Sequence, residues 1–209
     1  MSEITAEYIQ HSSSYRKLSE LKYDHIIPFV FENIKKTSFA SRFYFFFNAV
    51  NLFLIIYFLI YGLGNDMLTF GEFIKQFITG LFAGSILVIP FHEGFHGLAF
   101  KLAGAPKIHF GADLKQMIFY VTADNYVVKR KAFYFVALAP FAIINFLVII
   151  LYFTTGIFAL QTMLVFLFFH NIMCIGDFAM ISFYQQNEDK ELYTWDDISI
   201  KTSYIYEKI

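Results

Sequence analysis

The chain has 209 residues, of which 57% are hydrophobic, 21% aromatic and only 16% charged, with a mean hydropathy of +0.53. That composition excludes an ordinary soluble domain and points to a polytopic membrane protein. A formal net charge of −1 without a basic, aromatic-interleaved stripe excludes a nucleic-acid binder, and the single cysteine, Cys174, excludes an intrachain disulfide framework.

In chain order, residues 1–42 form a polar arm carrying Arg16, Lys17, Lys22, Lys35, Lys36 and Arg42. It has no apolar core followed by a small-residue cleavage site, so no cleavable signal peptide is expected and the first apolar run acts as an uncleaved anchor. Within the arm, Ser12–Ser14 is loop-like and Ile26–Phe31 could lie along a membrane surface; a loosely ordered tail is the other reading. Phe43 to Gly62 gives 20 residues without a charge, enough for a first transmembrane helix. Its Asn48 and Asn51 could hydrogen-bond a neighbouring helix. After a loop over 63–76, a second span covers 77–100. Gly80 and Gly84 there would allow close helix approach, and Pro90 would kink the helix just before His92.

The central loop, Gly104 to Lys131, contains two stretches rich in β-formers, 107–114 and 117–123, that suggest a small hairpin. The third span, 132–153, carries Pro140 and Asn145. A turn over Thr154–Gly156 leads to the fourth, 157–184, whose ionisable groups besides Tyr and Cys are His170 and Asp177. In the polar tail, Ile198–Tyr206 favours a strand that would pair with the loop hairpin. The expected fold class is therefore an all-α polytopic membrane protein with four transmembrane helices and a small cytoplasmic β hairpin or strand element. Its parts are an arm (1–42), a four-helix membrane domain (43–184) and a tail (185–209).

The second span contains Phe91-His92-Glu93-Gly94-Phe95-His96-Gly97. On a helix, residues four apart share a face, so His92 and His96 can address one metal ion, with Glu93 as the general base of a zinc hydrolase. Ionisable groups in a membrane segment are costly and point to function. Besides these three, only His170 and Asp177 carry an acidic or histidine side chain in the four spans.

Lys and Arg number six in the arm, one in 63–76, six in 101–131 and three after 184. The positive-inside rule then places both termini and the central loop in the cytoplasm. Spans two and four run in the same direction, and His96 and Asp177 sit at similar depth in the cytoplasmic half. A catalytic zinc wants three protein ligands and an open position. Asp177 is expected as the third ligand; orienting a histidine from behind is its other role. His170 would be a packed histidine further from the cytoplasmic end, or an outer partner of the site. His109 in the loop and Asn145 are candidates for contact with substrate or for supporting the ligands, and Cys174 is expected as an apolar filler.

With Gly97-Leu98, Phe110-Gly111, Ala139-Pro140-Phe141 and Gly176-Asp177 added to the motif, residues 80–206 resemble a family of small bacterial membrane proteins described as putative zincin peptidases. The layout is more distantly similar to site-2 protease type intramembrane metalloproteases. There the aspartate sits in a Leu-Asp-Gly context after a Gly-Pro-x-x-Asn pattern; here the text is Ile175-Gly176-Asp177-Phe178, with Ala139-Pro140 and Asn145. The resemblance implies a zinc peptidase of the bacterial cytoplasmic membrane. Residues and resemblance together lead to the expectation that a membrane-embedded or membrane-adjacent peptide is hydrolysed on the cytoplasmic side, with Zn2+ held by His92, His96 and Asp177. The peptide could add as a strand to the 107–123 hairpin. Two other classes remain open: a non-catalytic zincin-like interaction or accessory protein, and a small metal or proton transporter.

Overall fold

The computed structural model describes residues 4–155 and 159–209. Gly156 and Ile157, where the sequence places the end of a turn and the start of the fourth span, lie outside the described residues. The order is α1 (Ala6–His11), β1 (Tyr15–Lys22), α2 (Ile26–Ile34), α3 (Phe39–Gly64), α4 (Phe70–Phe82), α5 (Ile89–Leu102), β2 (His109–Asp113), β3 (Ile118–Thr122), β4 (Val128–Lys129), α6 (Arg130–Thr155), α7 (Leu160–Met173), α8 (Ile175–Gln186), β5 (Leu192–Asp197) and β6 (Thr202–Lys208).

Helices dominate. Two of them, α3 and α6, are long and apolar enough to cross a membrane. Two bent pairs pass the same test when each is taken as one span: Phe70–Leu87 with Ile89–Leu102, bent by 40°, and Leu160–Met173 with Ile175–Gln186, bent by 48°. By length and composition, the described residues therefore hold two to four candidate membrane-spanning segments. The first bend carries a π-helical turn over Ala83–Leu87, with Pro90 in the first turn of α5, where its missing N–H costs no helix bond. The expected kink before His92 is thus a break at Val88. The second bend, at Cys174, has no proline to announce it.

Helix starts follow local capping. Ser38 and Ser41 exchange backbone bonds in a capping box at α3, and the Ser38 hydroxyl donates on to Ser182 Oγ of α8 at 2.8 Å. Thr69 and Glu72 do the same at α4, which is why the expected loop over 63–76 turns helical from Phe70. Asn48 bonds Tyr44 O of its own helix. Asn51, with its amide oriented to satisfy both ends, bonds Leu164 O and Phe168 N of α7.

α4 and the π-helical turn that follows it come close to α7. A Cβ on Gly80 would lie 2.6 Å from Thr162 O, and one on Gly84 would run into the backbone of Phe166. The helices approach at backbone contact because these two positions lack side chains. Elsewhere α5 packs on α6, and α3 packs on α7 and α8.

The β portion is larger than the sequence suggests. The hairpin forms as expected, with β2 and β3 paired from His109–Thr122 to Asp113–Ile118. The tail strand does not join it. Residues 198–201 are instead the turn between β5 and β6, with Lys201 at φ +50°. These strands enter a four-stranded antiparallel sheet ordered β1-β6-β5-β4. The arm is no loose tail: β1 pairs with β6 from Tyr15–Lys208 to Lys22–Thr202, and α2 packs on α8. An aromatic cluster covers one face, with Trp195 against Tyr204 and Tyr206 beneath Ala6 and Ile9 of α1. The sheet is fastened to the helices by Tyr184 of α8, which stacks on Phe133 at 4.6 Å and donates to Thr194 Oγ1 at 2.9 Å. Arg130 also donates to Asn187 O and Lys190 O, both at 2.7 Å.

Asp196 of β5 faces Ser203 and Asp124 inside this assembly. Desolvation pushes its carboxyl up to about 6; the Ser203 hydroxyl bond offsets part of this, and Asp124 adds repulsion. Between the ordinary carboxylate value near 4 and about 6, the folded form holds more protons than the unfolded one. Stability should therefore fall as pH rises through that window and stay at the lower level above it. Asp196→Asn should abolish this dependence and stabilise the sheet at pH 7 by roughly 1–2 kcal/mol, read by denaturant titration with Trp195, the single tryptophan, as fluorophore. For the helix contact, Gly84→Leu should lower stability by about 3 kcal/mol or prevent assembly, while Gly71→Ala, with nothing within 4 Å, should be neutral in the same denaturant titration.

Candidate metal centre

The two helix breaks bring the ionisable side chains together. His92 and His96 stand one turn apart on α5 with their Nε2 atoms 3.2 Å apart. Asp177 lies in the first turn of α8, where a carboxylate is favoured by the exposed N–H groups of a helix start. Its Oδ1 is 3.3 Å from His96 Nε2 and its Oδ2 is 3.5 Å from His92 Nε2. Three of the five expected groups thus meet at one point, contributed by two bent pairs. Both histidines are buried, and Asp177 is partly exposed.

The outward nitrogens decide which atoms face inward. His96 Nδ1 lies 2.9 Å from Val136 O on α6. Pro140 follows Val136 by four residues and has no N–H to offer, so the Val136 carbonyl is free of its usual helix partner. A carbonyl can only accept, so His96 carries its proton on Nδ1 and presents a lone pair at Nε2. His92 Nδ1 lies 3.2 Å from His170 Nε2. His170 Nδ1 in turn lies 3.3 Å from Asn171 Oδ1, which also accepts from Asn145 Nδ2 at 2.8 Å. The network assigns the proton of His92 to Nδ1 and a lone pair to Nε2. Two imidazole lone pairs and a carboxylate therefore converge, the donor set that suits a divalent cation such as zinc. A second grouping, His92, His170 and Cys174, also comes within ligand distance. It does not offer three lone pairs, because His92 Nδ1 bears the proton that His170 accepts.

Glu93 is half-buried and makes no hydrogen bond to a described residue; its electrostatic neighbours are His96, His92 and Asp177. Gly94 and Gly176, which adjoin Glu93 and Asp177 in the sequence, have nothing within 4 Å where a side chain would stand. Gly97 is covered instead, with the Phe110 ring 3.2 Å from where its Cβ would be. That contact sets the β2–β3 hairpin against the motif helix. His109 is exposed on β2, pairs across the strand with Thr122 and makes no contact with the other candidates among the described residues.

The sequence left His170 about two turns away from the site on a straight helix. The bend at Cys174 instead turns α7 so that His170 touches His92. Asn171, fully buried, and the Val136 carbonyl were not foreseen. A polar residue beside His170 in an apolar span is a readable signal for the first, and the position four before Pro140 for the second.

Neither a curated protein nor a solved structure matches the chain. The family described as "Putative zincin peptidase" matches residues 85–190, a stretch that holds the whole convergence of α5, α6, α7 and α8. The chain belongs to this putative zincin peptidase family.

Proposed function

We propose that the chain is a zinc-dependent peptidase of the membrane, with His92, His96 and Asp177 as the metal ligands and Glu93 as the general base. The observation that carries this is the convergence of four acceptor atoms: His92 Nε2 and His96 Nε2 lie 3.2 Å apart, with Asp177 Oδ1 3.3 Å from His96 and Asp177 Oδ2 3.5 Å from His92. Ligand atoms around a tetrahedral zinc with bonds near 2.0–2.1 Å stand about 3.3 Å apart. Bound zinc would polarise the scissile carbonyl and acidify a water. The residues of the chain do the rest. Glu93 takes the proton of the attacking water on its carboxylate and returns it to the leaving amine. His170 and the Val136 carbonyl hold the two imidazoles in register.

Four crossings fit this reading. The sheet joins residues 15–22, 128–129 and 192–208, so the arm, the central loop and the tail share one side of any bilayer. If α3 crosses, α4 and α5 must return before β4; if α6 crosses, α7 and α8 must return before β5. The Lys and Arg surplus on those segments favours the cytoplasm as that side. The substrate would be an extended segment of a membrane-embedded or membrane-adjacent protein, laid along the outer edge of the β2–β3 hairpin. No described strand pairs with that edge, and its Phe110 touches the motif helix.

Purified protein should hold one zinc per chain, and Asp177→Ala should lose it, as read by metal analysis after dialysis. Glu93→Gln should keep the zinc and lose cleavage by about 10²-fold or more, measured on a quenched-fluorescence peptide library presented to vesicles containing the protein. Undiminished cleavage by that variant would end the peptidase assignment.

A further inference from the structure

Of the two proposed histidine ligands, His96 is steadied in a common way, by a backbone carbonyl. His92 is not: its outer nitrogen meets another imidazole, His170 Nε2, at 3.2 Å. An imidazole can serve as acceptor or donor, so it fixes nothing unless its own tautomer is set. Here it is set. His170 Nδ1 lies 3.3 Å from Asn171 Oδ1, and that oxygen is identified as the acceptor end of the amide by the Asn145 Nδ2 donor 2.8 Å away. Asn145 is anchored in turn by its own donation to Phe141 O at 2.8 Å and by Asn171 Nδ2 reaching its Oδ1 at 3.3 Å.

We infer that His170 is a positioning residue for the metal centre: the chain Asn145–Asn171–His170 forces a lone pair onto His170 Nε2, which holds His92 as the tautomer whose Nε2 faces Asp177 and His96. This rests on the proposed role of His92 as a ligand.

All members of the chain are buried: Asn145 is 6% exposed, Asn171 and His170 0% and His92 5%. Water therefore has no room to substitute for a missing partner, and a wrong tautomer at His170 would set two N–H groups against each other. The hydrogen bonds that Cys174 makes go to His170: its thiol donates to His170 O at 3.4 Å and lies 3.8 Å from His170 Nε2.

The test measures zinc affinity, by competition with a chromophoric chelator, on the full-length protein in detergent. His170→Phe keeps a ring in the space and removes the acceptor; it should weaken zinc binding by about 10- to 100-fold. His170→Gln places a carbonyl oxygen near the position of Nε2 and should stay within about threefold of wild type. Should the Phe variant fail to fold, Asn171→Leu, which releases the His170 tautomer, should weaken zinc several-fold. Wild-type affinity in His170→Phe, or in Asn171→Leu, would overturn the inference, as would a Gln variant as weak as Phe. Those outcomes leave the ligand set intact, whereas wild-type protein that binds no zinc would overturn the peptidase reading itself.

Discussion

A carboxylate wedged between two imidazoles inside an apolar helix bundle is the constraint on which the rest of this structure depends. Removing Asp177 from water is costly unless partners hold it, and among the described residues no backbone donor bonds its oxygens. Each oxygen instead faces one histidine nitrogen, at 3.3 and 3.5 Å. Those nitrogens carry lone pairs, because each ring's proton is engaged on its other side. The cluster is therefore compatible with its surroundings only when a cation or a proton joins it, and the bundle is built to keep it together. The glycines at 80 and 84 let α4 and the π-helical turn after it reach backbone contact with α7, and α5, α6 and α8 close around the cluster through the Val136 carbonyl and the start of α8.

The same cluster shows why part of the architecture was legible in the sequence. Apolar runs of about 20 residues, the four-residue spacing of His92 and His96, and the two β-rich stretches around Lys115 each report a local property: two of the runs reappear as the long helices α3 and α6 and two as bent pairs, the histidines share a face of α5, and the β-rich stretches form β2 and β3. The pairing of the motif with Asp177 reappears as well, since so few ionisable groups lie in the spans that they must satisfy one another. What was not legible depends on departures from regular geometry. Depth arguments from a straight helix place His170 about 10 Å from Asp177 along the axis. The 48° bend at Cys174, which has no proline or glycine at the break itself, brings His170 to His92 instead. The four-stranded sheet escaped for another reason: β1 and β6 lie nearly the whole chain apart, and a strand's partner is not encoded in its own composition.

Proline acts in two opposite ways here. Pro90 sits in the first turn of α5, where its lack of an N–H loses nothing and simply ends the preceding π-helical turn. Pro140 lies inside α6, where the same lack frees the Val136 carbonyl, and His96 uses the freed acceptor. Without that freed carbonyl, the His96 ring would compete with the helix for a bond already made. A residue usually treated as a kink marker is, in this bundle, what allows a neighbouring helix to orient a side chain through its backbone.

The sheet outside the bundle bears on the site through helix ends. Its strands come from before α3, before α6 and after α8, so the polar ends of these three helices are tied to one rigid body. Tyr184, two turns beyond Asp177 on α8, is clamped between Phe133 and Thr194, and Arg130 at the start of α6 grips the carbonyls just past the end of α8. A shift of α8 along its axis would have to break these contacts together. Since α6 supplies the carbonyl that orients His96 and α8 supplies Asp177, fixing the relative height of these two helices fixes the distance between a histidine and its carboxylate. The sheet thus belongs to the geometry of the centre although none of its residues touches it.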